Sequence, residues 1–222
     1  MKHSLELYIS LFMNWIGDGK LNFMNDQTLN YYDQNAKTFV LQTRDLDFSS
    51  IQNKFLQLLP VHGTILDLGC GSGRDAKAFL TAGFRVDAID GSEEICKLAS
   101  SYLGIAVRHQ SFDQLDASSQ YDGIWACSSL LHLPKEKLPE IFARIEKALK
   151  PGGIFYCSFK QGEFEGLRNG RYFSDLTFNT LETLVHQTTH LQPIELWTSE
   201  DIRTDRPSEY WTNALFSKPY GQ

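Results

Sequence analysis

Thr64-Ile65-Leu66-Asp67-Leu68-Gly69-Cys70-Gly71-Ser72-Gly73-Arg74-Asp75 joins a short apolar strand to a glycine-rich turn, and an amphipathic helix follows at once. Glycines at three alternate positions let the backbone take positive φ and come close to a ligand. The next helix offers the unpaired N–H groups of its first turn. A dinucleotide fingerprint, G-x-G-x-x-G, would put its third glycine at position 74, where Arg74 stands. An acidic residue, Asp67, instead precedes the first glycine, and a second acid, Asp90, ends the next apolar run, Phe84 to Asp90. A carboxylate at a strand tip is placed to accept hydrogen bonds from ribose hydroxyls, so a ribose-bearing ligand without a required pyrophosphate is expected.

Outward from this turn, helical and strand periods alternate. Ile51 to Leu59 reads as a helix ending before Pro60, and Ala76, Phe79 and Leu80 form the stripe of a crossover helix that Gly83 stops. Ser92 is placed to cap a further helix whose buried face is Ile95, Leu98, Ala99 and Tyr102, with Gly104 beyond its end. Strands are expected at Ile105–Val107, Ile124–Cys127 and Ile154–Phe159, with a helix from about Lys135 to Leu149. The tail adds a helix near Phe178–Thr188 and strands at Pro193–Trp197 and Trp211–Phe216. Strands alternating with helices imply right-handed βαβ crossovers and a mostly parallel sheet covered on both faces. Lys160–Arg168 with Arg171–Phe173, and Glu200–Tyr210, read as polar loops long enough to be functional.

Four segments in register resemble the class I S-adenosylmethionine-dependent methyltransferases. They are Leu66 to Gly73, Val86 to Ser92, Tyr121 to Ala126 and Leu149 to Phe155. Gly73-Arg74-Asp75 and Arg171-Tyr172-Phe173 are most similar to the branch that includes tellurite-resistance-type methyltransferases. The resemblance implies a Rossmann-like, doubly wound, seven-stranded α/β sheet with the last strand antiparallel. It also implies S-adenosylmethionine as cofactor and methyl transfer to a small molecule by in-line displacement. Such a transfer needs alignment in a dry pocket more than an acid or base, because the sulfonium is already a good leaving group.

The resemblance assigns roles that compete with structural ones. Asp67 would hold the methionine amino group or a water beside it, or else cap the helix or brace the turn, while Gly69, Cys70, Gly71 and Gly73 would offer backbone to the cofactor. Asp90, with Gly91 and Ser92, would receive the ribose, or Asp90 would cap the helix that follows. Phe112 and Asp113 would border adenine, or Phe112 would plug the core; the usual tight glycine-acid pair is absent there. Cys127 opens the loop beside the sulfonium. His132 in that loop would accept a proton, or fix the loop ahead of Leu133-Pro134. Tyr31, Tyr32 and Phe39 would close over the cofactor from a lid helix at about 28–45, with Arg44 for its carboxylate. Arg171, Tyr172, Arg206 and Trp211 would meet the substrate.

The 222 residues suit a helical extension over 1–27 and one domain over 28–222, with Met24 a possible biological start. The mildly apolar Leu5–Ile16 is too short to span a bilayer and a poor secretion signal. A net charge of −6 and the lack of any Lys/Arg-rich block make duplex DNA or large RNA a disfavoured partner. Four cysteines without C-x-x-C spacing point to reduced thiols in a cytoplasmic protein and away from a zinc site. Two rival readings remain: a nicotinamide-dependent oxidoreductase, and a non-catalytic S-adenosylmethionine-binding module.

Overall fold

A computed structural model describes residues 27–203 and 209–220. The expected extension over 1–27 lies outside the described residues except at its last position. Helices are α1 (27–43), α2 (Ser49–Leu56), α3 (Arg74–Thr81), α4 (Glu93–Leu103), α5 (Leu138–Ala148) and α6 (Phe178–Thr188). Strands are β1 (Thr64–Leu68), β2 (Arg85–Asp90), β3 (Val107–His109), β4 (Tyr121–Ala126) and β5 (Leu149–Lys160). The chain continues with β6 (Glu165–Arg168), β7 (Arg171–Ser174), β8 (Gln192–Glu200) and β9 (Tyr210–Ser217).

Seven strands form one sheet in the order β3-β2-β1-β4-β5-β9-β8, and β9 alone runs against its neighbours. Alternation along β1 sends Leu66 and Leu68 to the face covered by α5 and α6, and Ile65 to the face covered by α2 and α3. The first face packs Ile141, Phe142 and Ile145 of α5 with Leu181 and Val185 of α6. On the second, the Trp125 ring stacks on Tyr156 at 3.9 Å and packs against Phe55 and Phe79. This is the doubly wound α/β sheet with helices on both faces that the sequence implies.

Three expectations are corrected. The third strand starts at Val107 rather than Ile105, because pairing with Ala88 begins there and continues into Arg108 and His109. It is an edge strand, where exposed polar side chains are tolerated, so its apolar run marks the approach to the sheet and not its register. The stretch after β5, expected as a polar loop, folds into the antiparallel β6–β7 hairpin. Asn169 and Gly170 turn it with φ of 52° and 77°, the paired positive values of a type I′ turn, which Asn-Gly satisfies at little cost. The helix expected from Lys135 begins as a 3-10 turn over Lys135–Lys137, and α5 proper starts at Leu138 with Pro139 in its first turn, where no N–H is needed.

Capping aims α4. The Ser92 hydroxyl accepts the Ile95 N–H at 3.2 Å and donates to Asp33 of α1 at 2.6 Å, while Asp33 also accepts the Glu94 N–H at 3.2 Å. Negative charge at that positive helix end ties α1 to the sheet layer. Gly104, at φ 74°, ends the helix. Ser92→Ala is expected to lower stability by about 1 kcal/mol in urea unfolding, with an unchanged dependence on denaturant.

Candidate functional site

Strand order reverses between β1 and β4, and the loops leaving their carboxyl ends diverge there, which is where open parallel sheets hold ligands. A cavity of about 420 Å³ occupies this crevice, within the range of small-molecule sites. The glycine turn makes one wall. Gly69 and Gly71 have φ of 83° and 54°. A Cβ at Gly69 would lie 2.5 Å from that of Ser129, and one at Gly71 would press on the Phe39 ring at 3.2 Å. Gly91 also borders the cavity, and a Cβ there would meet Leu29 of α1 at 2.7 Å.

The acids divide the work. Asp67 is 2% exposed and accepts the Ala76 N–H at 3.1 Å, supplying the cap that Gly73 lacks at the start of α3. Burial, reinforced by nearby Asp75, holds its pKa well above the usual carboxylate value. It braces the turn behind the cavity rather than lining it. Asp90 does line it, while its two oxygens accept the Gly71 N–H at 3.0 Å and the Ser92 N–H at 2.9 Å. Burial raises its pKa and those N–H bonds oppose the rise. Gly73 and Ser92 stand behind the wall, Gly73 over Leu103 and Ser92 as the α4 cap.

After β3, Phe112 serves both readings, lining the cavity and packing on the core beneath it. Asp113 sits exposed at the rim and accepts the Ser111 hydroxyl at 2.5 Å. Cys70 and Cys127 border the cavity as thiols; burial pushes Cys127 up to about 11 and Cys70 well above the ordinary value.

One buried carboxylate in this wall carries no role in the sequence reading. Asp75 accepts four hydrogen bonds: Gln52 Nε2 at 2.6 Å, Arg74 Nε at 2.9 Å, Arg74 Nη2 at 2.8 Å and Trp125 Nε1 at 2.9 Å. Arg74, the residue that breaks the dinucleotide pattern, thereby lies 3.6 Å over the Phe48 ring with its guanidinium at the cavity edge. The signal was available in the spacing, since Asp75 falls one turn before Phe79 on the buried stripe of α3.

The opposite wall joins α1 to the loop after β4. Tyr32 Oη lies 2.8 Å from His132 Nε2, and His132 Nδ1 lies 2.7 Å from the Tyr172 carbonyl. A carbonyl only accepts, so Nδ1 carries the proton and Nε2 accepts the Tyr32 hydroxyl. Burial depresses His132 to about 4; the Tyr172 bond works against this and the Arg171 charge adds to it. Arg171 lines the same wall, 4.7 Å over Tyr31 and 5.1 Å over Phe173, with Nη1 at 3.4 Å from Tyr32 Oη. Tyr172 contributes its backbone there, while its hydroxyl turns away to Glu165 at 2.9 Å. Trp211 borders the cavity and donates Nε1 to Asp201 at 3.2 Å. Arg44 is not in the cavity wall. Its guanidinium lies 4.3 Å over Tyr102 on the outer side of α1. Arg206 lies outside the described residues.

Residues 65–153 match the family described as "Methyltransferase domain". Over that stretch the chain is similar to methyltransferases. Among solved structures, the chain is similar to 1,6-didemethyltoxoflavin-N1-methyltransferase of Burkholderia thailandensis. That match has a TM-score of 0.63 and 21% identity over 98% of this chain and 90% of that one. TehB of Haemophilus influenzae matches at TM-score 0.65 and 17% identity, over 77% of this chain and 62% of that one. These two likenesses concern the fold. By sequence, the chain is 34% identical over 116 residues to the putative methyltransferase YqeM of Bacillus subtilis, covering 47% of each chain. It is 32% identical over 102 residues to a ubiquinone biosynthesis O-methyltransferase of Caulobacter vibrioides, covering 43% of this chain and 40% of that one. The chain thus spans about half or less of the length of these two relatives. The comparisons give no support to the nicotinamide or non-catalytic readings.

Two stability tests follow. Asp75→Ala strands the Arg74 charge and should cost about 3–5 kcal/mol in urea unfolding, whereas Gln52→Ala, removing one neutral donor, should cost about 1 kcal/mol. Because folding depresses the His132 pKa, the unfolded chain binds the extra proton first, so this contribution is complete above the unfolded value near 6.5 and is lost as pH falls towards 4. Stability measured across that window should fall more steeply in the native protein than in His132→Gln.

Proposed function

We propose that this protein transfers the methyl group of S-adenosylmethionine to a small-molecule acceptor by in-line displacement. The observation that carries the reading is the glycine turn opening into the crevice at the β1–β4 reversal, with Asp90 at its rim. The donor set fits the group. Gly69, Cys70 and Gly71 leave room for the methionine portion, Asp90 and Gly91 meet the ribose, and Phe112 offers an aromatic edge to adenine beside Ser111 and Gln110. Asp67, Gly73 and Ser92 serve this site by holding the turn and α4 in place. When bound, the cofactor supplies an electrophilic methyl group on a sulfonium. The protein's share is to align, to dehydrate and to exclude competing water.

Acceptors of this class are supported by the names of two relatives, one an O-methyltransferase of ubiquinone biosynthesis and one an N1-methyltransferase of 1,6-didemethyltoxoflavin. Phe173, Trp211, Leu131 and Ile141 give the acceptor half of the cavity an apolar lining, with Arg171, Lys160 and Arg203 among the cations on the cavity wall. We place the protein in the cytoplasm, on its four free thiols, and assign it no polyanion partner, on its net charge of −6. No helix among the described residues is long and apolar enough to cross a membrane.

Calorimetry on cofactor-free protein should show S-adenosylhomocysteine binding, weakened by about tenfold or more in Asp90→Ala. Heat-silent titrations of both S-adenosylmethionine and S-adenosylhomocysteine into folded protein would end the proposal.

A further inference from the structure

Resting on that proposed methyl transfer, we infer that Tyr32 and His132 form a proton relay for an acceptor whose nucleophile is an aromatic hydroxyl, with Tyr32 touching the acceptor and His132 holding the proton. The geometry is a directed chain. The Tyr172 carbonyl fixes the proton of His132 on Nδ1 at 2.7 Å, which leaves the Nε2 lone pair pointing at Tyr32 Oη, 2.8 Å away. Tyr32 therefore donates to His132; one lone pair of its oxygen receives Arg171 Nη1 at 3.4 Å and the other is the acceptor offered to the cavity, where both residues line the wall. Ring packing fixes the pair: Tyr32 stands edge-on to Phe39 at 5.1 Å, and His132 stands edge-on to Phe173 at 4.9 Å.

The proton and electron count closes without an outside reactant. The acceptor hydroxyl donates to Tyr32 Oη. As its oxygen bonds to the methyl carbon, the carbon–sulfur bond breaks with its electron pair on sulfur. The hydroxyl proton moves to Tyr32 Oη, and the Tyr32 proton moves to His132 Nε2. One positive charge is lost at sulfur and one appears on the imidazole, whose Nδ1–H stays on the Tyr172 carbonyl.

The charged and titratable groups around the chain set what it can deprotonate. Tyr32 faces Arg171 from β7, Asp90 from the end of β2 and Tyr31 from its own helix; burial raises its pKa and Arg171 opposes that. His132 faces Arg171 and is depressed by burial, so it is a weak base while a sulfonium is also present and a stronger one once that charge is gone. A relay ending in so weak a base cannot take the proton of an alkyl alcohol. It suits a phenol-like hydroxyl, whose reference pKa of about 10 is that of tyrosine itself. Phe173 and Trp211 both line the cavity and offer aromatic surface to a flat acceptor of that kind.

The test uses catechol and 4-nitrocatechol as acceptors, the second already ionised at the assay pH. In Tyr32→Phe, kcat for catechol should fall about 100-fold with KM little changed, while 4-nitrocatechol loses less than about tenfold, because it arrives without the proton. His132→Gln should show the same split. In the S-adenosylhomocysteine complex, nitrogen NMR should find His132 neutral and protonated at Nδ1, with the Nε2 resonance shifted in Tyr32→Phe. Affinity for S-adenosylhomocysteine should be equal in both proteins. Equal losses on the two catechols would overturn the relay, as would an Nε2-protonated His132 or weakened S-adenosylhomocysteine binding in Tyr32→Phe, which would put the hydroxyl on the cofactor. Methylation of neither catechol by a protein that binds S-adenosylhomocysteine would also overturn it. A native protein that binds no S-adenosylhomocysteine would instead remove the reading beneath it.

Discussion

The Asp75 carboxylate is the constraint on which the site depends. Its four donors come from three elements, Gln52 of α2, Arg74 at the start of α3 and Trp125 of β4, so one buried group fixes a helix, the end of the glycine turn and a central strand relative to one another. A charge taken out of water is tolerated only when its lone pairs are filled, and here each oxygen receives two donors. Asp67 works beside it, holding the N–H of Ala76 that the N-cap glycine has no side chain to accept. The glycines are thus free to be small because the two acids behind them keep the loop in shape.

On the other side of the cavity, order comes from α1. Asp33 and Thr28 fasten this helix at two places, to the start of α4 and to the backbone of β7, and Gly170 of the hairpin turn lies against the Tyr31 ring. The polar groups facing the cavity from this wall, Tyr32, His132 and Arg171, are therefore held by contacts outside it.

The central sheet was legible because its signals are local. Apolar runs, glycine stops at positions 83 and 104 and the Ser92 cap each report on a few adjacent residues, and the elements they mark stand where the spacing put them. The edge strand β3 misled because its burial changes along its length, so hydropathy followed the buried approach and missed the paired, exposed end. The hairpin is encoded in Asn169-Gly170, but the arginines on either side of that pair give its strands the look of a polar loop. Site residues divide along the same line. Asp90 announces itself at a strand tip, whereas the Tyr32–His132 pair joins residues 100 positions apart, and no local pattern encodes such a meeting. Arg44 shows the converse: on the helix read as a lid, its position one face round from Tyr32 sends it to Tyr102.

The double fastening of α1 bears on time as much as on structure. Movement of this helix away from the cavity must first open the Asp33 and Thr28 bonds, so its frequency is set by those two fastenings.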